Sequence, residues 1–155
     1  MTDTKVILTE QSDDDEEFRK MFLPLIEYLK EVGCEKKKHS KGTRNLLHHL
    51  VSVSAILSER GASDDLCKAG LFHSIYGTSF YKNKTVSLDE RDKIKKLIGE
   101  WAETLVYEFC MLPKDRRSAI MKLENGPLRN DLADLAYANS DEQRLWKEKN
   151  NDNVT

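Results

Sequence analysis

A chain of 155 residues with 39% hydrophobic and 34% charged residues is long enough for one domain with its own buried core. It has no apolar run near the length of a membrane span, and its N-terminus lacks the basic-then-apolar order of a secretory signal. The formal net charge is only −2, so overall charge gives no argument for nucleic-acid binding, and Cys34, Cys67 and Cys110, an odd number with no CxxC spacing, read as reduced thiols of a cytoplasmic protein.

Residues 1–12 show little periodicity and read as a flexible arm. Asp13 to Glu17 are five acidic residues that suit the first turn of a helix. Phe18, Met21, Phe22, Leu25, Ile26 and Leu29 follow at helical spacing, and Gly33 ends the run. The stretch that follows is basic, with Lys36, Lys37, Lys38, His39, Lys41 and then Arg44. It reads either as a solvated loop or as a loop that faces an anionic substrate.

Thr43 is the expected N-cap of a helix from Arg44 to Glu59, with Leu46, Leu47, Leu50, Val53, Ile56 and Leu57 on its apolar face. His49 falls near that face, and His48, about 100° round the helix, points outward. Gly61 stops the run, and Ser63-Asp64-Asp65 starts the next helix. Leu66 and Ala69 to Phe72 are too uniformly apolar for a surface helix, so this one is central, and Gly70 permits close packing on a neighbour. His73 closes it. Tyr76, Thr78 and Ser79 are candidate lining groups of a pocket between His49 and His73, with Phe80 to Val86 as a covering loop.

Ser87 and Glu90 make a capping box for one long helix that ends before Pro113. On that helix Glu100 and Glu103 are within reach of the pocket, but charged positions on a long helix read as solvated. Asp115 to Leu123 is a short helix, and Asn125-Gly126-Pro127 is a break. Leu128 to Trp146 is the last helix, with Leu128, Leu132, Leu135, Ala136 and Tyr137 inward; residues 147–155 read as a disordered tail. Nearly every apolar pattern has a period near 3.6. The prediction is a compact all-α single domain over residues 13–146, a helical bundle of five to seven helices.

The stretch His49-Leu-Val-Ser-Val-Ser-Ala-Ile-Leu, followed by Ala69-Gly-Leu-Phe-His73-Ser74, resembles the HD-domain superfamily of metal-dependent phosphohydrolases. The nearest likeness is to the hydrolase domain of the RelA/SpoT alarmone enzymes, and the chain also resembles a small HD-like family that carries an AGLFHS-YGT stretch. The likeness runs from about Cys34 to Asn139 and is specific in the centre. It implies an HD-type bundle and a metal site. Its ligands would be His39, His49, His73 and, from the late triplet Leu132-Ala133-Asp134, Asp134; Asp131, Asn139 or Asp141 take that place under another register. Three imidazoles and a carboxylate suit Mn, Fe or Zn, which would polarise a phosphate and activate water. Lys41, Arg44, Ser74, Tyr76 and Thr78 would contact the substrate, a nucleotide or other small phosphorylated molecule.

Two departures stand against that reading. Ser74 occupies the place of the defining aspartate, and serine is a poor ligand for such ions. The acidic pair of the alarmone hydrolases falls at Gly77 and Thr78. The alternative is therefore a catalytically degenerate HD-like module that binds a small anionic ligand or a protein partner and regulates it. No residue is singled out as a catalyst, and no Walker loop, GxSxG, HExxH or dinucleotide fingerprint occurs. Nucleic acid is the weakest reading, because the basic cluster is short and acidic residues offset it.

Overall fold

Gly61, at φ +80°, turns the chain between the two helices at its centre, α2 (Leu46–Glu59) and α3 (Asp64–Phe72). The computed structural model describes residues 12–39 and 44–151. The N-terminal arm, Lys41, the Thr43 cap and residues 152–155 lie outside the described residues. Before the central pair comes α1 (Ser12–Glu31); after it come α4 (Arg91–Ile98), α5 (Glu100–Cys110), α6 (Arg116–Met121) and α7 (Pro127–Asn151). These seven α-helices and a 3₁₀ turn at Leu88–Glu90 make an all-α domain, with no strand among the described residues beyond one isolated bridge between Lys38 and Asn45.

The central pair is tight because α3 carries glycine where it meets α2. A Cβ added at Gly70 would stand 2.6 Å from Leu57 Cδ1 and 3.5 Å from the Ser54 Cα. The Ser54 hydroxyl donates to the Cys67 carbonyl at 2.9 Å, which satisfies two polar groups inside the contact. Asn45, and not Thr43, caps α2: its side chain accepts from the His48 amide, while Ser63 accepts from Leu66 at the start of α3. Leu71 and Phe72 are buried, with Phe72 stacked on Tyr28 of α1.

The long helix expected after Ser87 is two. Gly99 breaks it at φ +94° and ψ 161°, a conformation that L side chains rarely adopt. The break lets Ile94 and Ile98 on one side, and Ala102, Leu105, Val106 and Phe109 on the other, all reach the core. Glu103, expected in solvent, is fully buried. Its carboxylate accepts from the Tyr76 hydroxyl at 2.8 Å and from Arg91 Nε and Nη2 at 2.7 and 2.8 Å. Three hydrogen bonds, two of them from one guanidinium, offset the desolvation that a buried carboxylate suffers. Tyr76 is thereby drawn into the core and does not line a pocket. The last helix runs past Trp146 to Asn151, and its Tyr137 is exposed rather than inward. Cys34, Cys67 and Cys110 are all buried free thiols.

Candidate functional site

Four segments bring histidines, an amide and a carboxylate together. α2 supplies His49, the C-cap of α3 supplies His73, the stretch before α2 supplies His39, and α7 supplies Asn139 and Glu142. His73 Nδ1 lies 2.7 Å from the Gly70 carbonyl, so Nδ1–H donates and Nε2 is the acceptor. His49 Nδ1 lies 2.6 Å from Glu142 Oε1. The other Glu142 oxygen takes the Arg44 guanidinium, which also lies 4.6 Å over the Trp146 ring. Burial alone would raise the Glu142 carboxyl, but its hydrogen bonds to His49 and Arg44 outweigh that and hold it below its ordinary value. The carboxylate therefore accepts from His49 Nδ1–H.

On the far side of the ring, His49 Nε2 faces two acceptors, Asn139 Oδ1 at 2.9 Å and His73 Nε2 at 3.2 Å. Burial, and then the neighbouring His49, push His73 well below its usual range. The same two causes, with Arg44 added, push His39 down to about 3.

The metal-ligand set that the family resemblance implies does not assemble. His39 stacks on His49 with ring centroids 3.8 Å apart and planes 9° from parallel. Lone pairs lie in the ring planes, so these two imidazoles do not converge on one ion. Asp134 is exposed and sits five residues before Asn139, about 140° round α7. It lines a different cavity with Arg60, Tyr137 and Asp141. Of the alternatives, Asn139 takes the place beside His49, Asp131 accepts from Trp101 Nε1, and Asp141 pairs with Arg60. Among the described residues no group of three or more His, Cys, Asp or Glu side chains is arranged to hold a metal ion. Among the described residues two imidazoles and an amide oxygen, without a carboxylate, fall short of the ligand set that suits Mn, Fe or Zn.

Beside the cluster opens a cavity of about 350 Å³ lined by His39, His73, Ser74, Thr78, Phe80 and Arg116, to which α7 adds Asn139, Ser140 and Gln143. Three buried side-chain atoms lack a hydrogen-bond partner among the described residues: His39 Nδ1, Ser74 Oγ and Arg116 Nε. All three belong to residues of this one cavity. The Arg116 guanidinium carbon lies over both the Phe80 and the Phe109 ring, 4.7 and 4.5 Å from their centroids. Burial holds its pKa below the ordinary value, and among the described residues no carboxylate lines the cavity. Thr78 is at the rim, where its Oγ1 accepts from the Phe80 and Tyr81 amides and shapes the covering loop.

Of the residues expected to meet substrate, Ser74 and Thr78 line the cavity, Tyr76 is turned into the core, and Arg44 is a clamp on Glu142. Glu142 and Arg116 were not anticipated. Glu142 had a signal: with Leu132, Leu135, Ala138 and Asn139 it continues the buried stripe of α7. Arg116 had none, because it stands among Lys114, Asp115 and Arg117 at the start of the expected short helix, where charged residues read as solvated.

No curated protein matches the chain, and no solved structure matches it. A family model described as a domain of unknown function, DUF6817, matches residues 28–114. The match takes in the three histidines, Ser74, Thr78 and Phe80 and stops before Arg116, Asn139 and Glu142. It spans more than half of the sequence, and the chain belongs to the DUF6817 family.

Proposed function

We propose that this protein is an HD-like module that binds a small anionic molecule in the cavity between His39 and Arg116, without metal-dependent hydrolysis. The observation that carries this reading is that three buried polar atoms without a partner among the described residues belong to residues lining one cavity. Buried polar groups are nearly always hydrogen-bonded, and each one that is not costs about 1–3 kcal/mol. Three such atoms around an open space of ligand size are what a bound polar molecule would satisfy. The guanidinium gives that molecule its sign. The likeness to HD phosphohydrolases supports the placing of a pocket at His49 and His73, while the donor geometry speaks against the metal on which hydrolysis depends. Buried free cysteines, and the lack of any described helix long and apolar enough to cross a membrane, accord with a place in the cytoplasm.

The test is a thermal-shift screen of small carboxylates, phosphates and nucleotides against the wild type, Arg116→Gln and Ser74→Ala. A ligand at a hundred times its Kd adds about 2.7 kcal/mol of stability, which is a shift of several degrees. An anionic class that stabilises the wild type and not Arg116→Gln is expected. No shift with any anion, or phosphate release from a nucleotide by protein loaded with Mn, Fe or Zn, overturns the reading.

A further inference from the structure

We infer that an anionic ligand enters the cavity across a basic lip, made by the segments 36–39 and 81–85, whose lysines attract it without holding it. This rests on the reading of the cavity as an anion site and names its route of entry.

The lining residues differ in depth. His73, Ser74 and Asn139 are buried, whereas Phe80 and Ser140 are exposed and His39, Tyr81 and Gln143 are partly so. The mouth is therefore bounded by His39, Phe80 and Tyr81 on one side and by Ser140 and Gln143 of α7 on the other. The first side joins two segments that are far apart in the chain. Lys37 Nζ donates to the Lys84 carbonyl at 3.1 Å and to Thr85 Oγ1 at 3.3 Å. The Tyr81 hydroxyl donates to the Lys38 carbonyl at 3.4 Å, and the His39 and Tyr81 rings are 5.6 Å apart. Lys38 and Lys82 are the chain neighbours of His39 and Tyr81, so their Cα atoms stand about 3.8 Å from those of the mouth. Lys36 and Lys84 follow two residues further along each segment, and all four lysines are exposed.

The chain as a whole has a formal charge of −2, so this positive lip is a local excess. Among the described residues none of the four ammonium groups has a carboxylate at ion-pair distance, and acidic side chains nearby are engaged elsewhere. Glu35 pairs with Lys30, and Asp141, beside Ser140, pairs with Arg60 and Arg144. Exposed ammonium groups are strongly hydrated and add little to a hold, but their summed field draws anions from solution. That field reaches about 8 Å at physiological ionic strength, which spans the mouth. The lip thus acts on arrival, while Arg116 acts on retention.

The experiment separates the two by their rates. The variant carries Lys36→Gln, Lys38→Gln, Lys82→Gln and Lys84→Gln; Lys37 is kept because it ties the segments together. Line shapes in ¹H–¹⁵N spectra of the full chain, titrated with benzoate and with inorganic phosphate, give association and dissociation rates. They are measured at ionic strengths of about 0.1 M and about 1 M, where the field reaches about 10 Å and about 3 Å. At the lower ionic strength the variant is expected to associate at least about twofold more slowly, and to dissociate at the wild-type rate. At the higher one the two proteins are expected to associate alike. If the fourfold variant does not fold, the pair Lys82→Gln and Lys84→Gln decides, with the same sign expected. A smaller loss in association at the lower ionic strength, a loss that persists at the higher one, or a loss that appears in the dissociation rate overturns the basic lip and leaves the anion site standing. No response of the wild type to either probe overturns both.

Discussion

The Glu142 carboxylate lies 2.6 Å from His49 Nδ1 on one oxygen and takes the Arg44 guanidinium on the other. Both contacts are buried, with side-chain exposure of 5% for Glu142, 3% for Arg44 and 0% for His49. Removal of the carboxylate strands two donors away from water. Loss of one partner from a buried ion pair costs about 3–5 kcal/mol, much more than the pair contributes net. Glu142→Ala is therefore expected to lower stability by about that amount. Urea denaturation checks it: the midpoint should fall while the slope stays constant. A change within about 0.5 kcal/mol, the range of an ordinary surface substitution, would show that the pair is not buried as described.

His39 and His73 give the fold a pH dependence whose sign is fixed. Burial holds both below the ordinary value of 6.5, His39 at about 3, while the unfolded chain takes up protons near 6.5. A depressed folded pKa contributes stability that is complete above 6.5 and is lost as the pH falls toward the folded value. Glu142, also depressed, acts in the same direction but from its lower carboxyl range. Unfolding midpoints should therefore decline between pH 7 and pH 5, before carboxylates begin to titrate. Midpoints that stay level over that window would contradict the neutral histidines.

Much of the scaffold was legible from periodicity. The stripes of α1, α2 and α3 stand in the sequence as spaced leucines and phenylalanines, and Gly70 marked a close helix contact that the structure contains. What was not legible depends on partners far away in the chain. Glu103 looks like a solvated helix carboxylate until Arg91 and Tyr76 arrive, twelve and twenty-seven residues off. Arg116 looks like a surface cation until Phe80 and Phe109 enclose it. The break at Gly99 was hidden because the apolar stripe continues on both sides of it. Asp134 shows the converse error: a matching triplet fixed a residue type but not the face of α7 on which it lies.

Gly70 offers a test of packing alone. Its added Cβ meets the end of the Leu57 side chain at 2.6 Å, with the Ser54 backbone close behind. Overpacking of a tight core costs about 1–3 kcal/mol, so Gly70→Ala should be destabilised in that range despite the better helix propensity of alanine. Thermal denaturation reads it directly. A variant more stable than the wild type would mean that α2 and α3 are not in this contact.

The buried Glu103 network should respond unequally to its two donors. Tyr76→Phe removes one hydroxyl and leaves the Arg91 fork in place, for a loss of about 1 kcal/mol. Arg91→Ala removes both of the charged hydrogen bonds and leaves a fully buried carboxylate, for a loss of about 3–5 kcal/mol. Chemical denaturation of the two variants and the double variant gives the coupling. Equal losses would contradict the network as described.

The central claim is that the histidine cavity holds a small anion and not a metal ion. Native mass spectrometry tests this most directly, on the full chain incubated with a mixture of small carboxylates and phosphates and, separately, with Mn, Fe and Zn. The expected result is a one-to-one anion adduct on the wild type that Arg116→Gln lacks, and no stoichiometric metal mass. A stoichiometric metal mass on the wild type that is lost in His73→Ala, with no anion adduct on either protein, would contradict it.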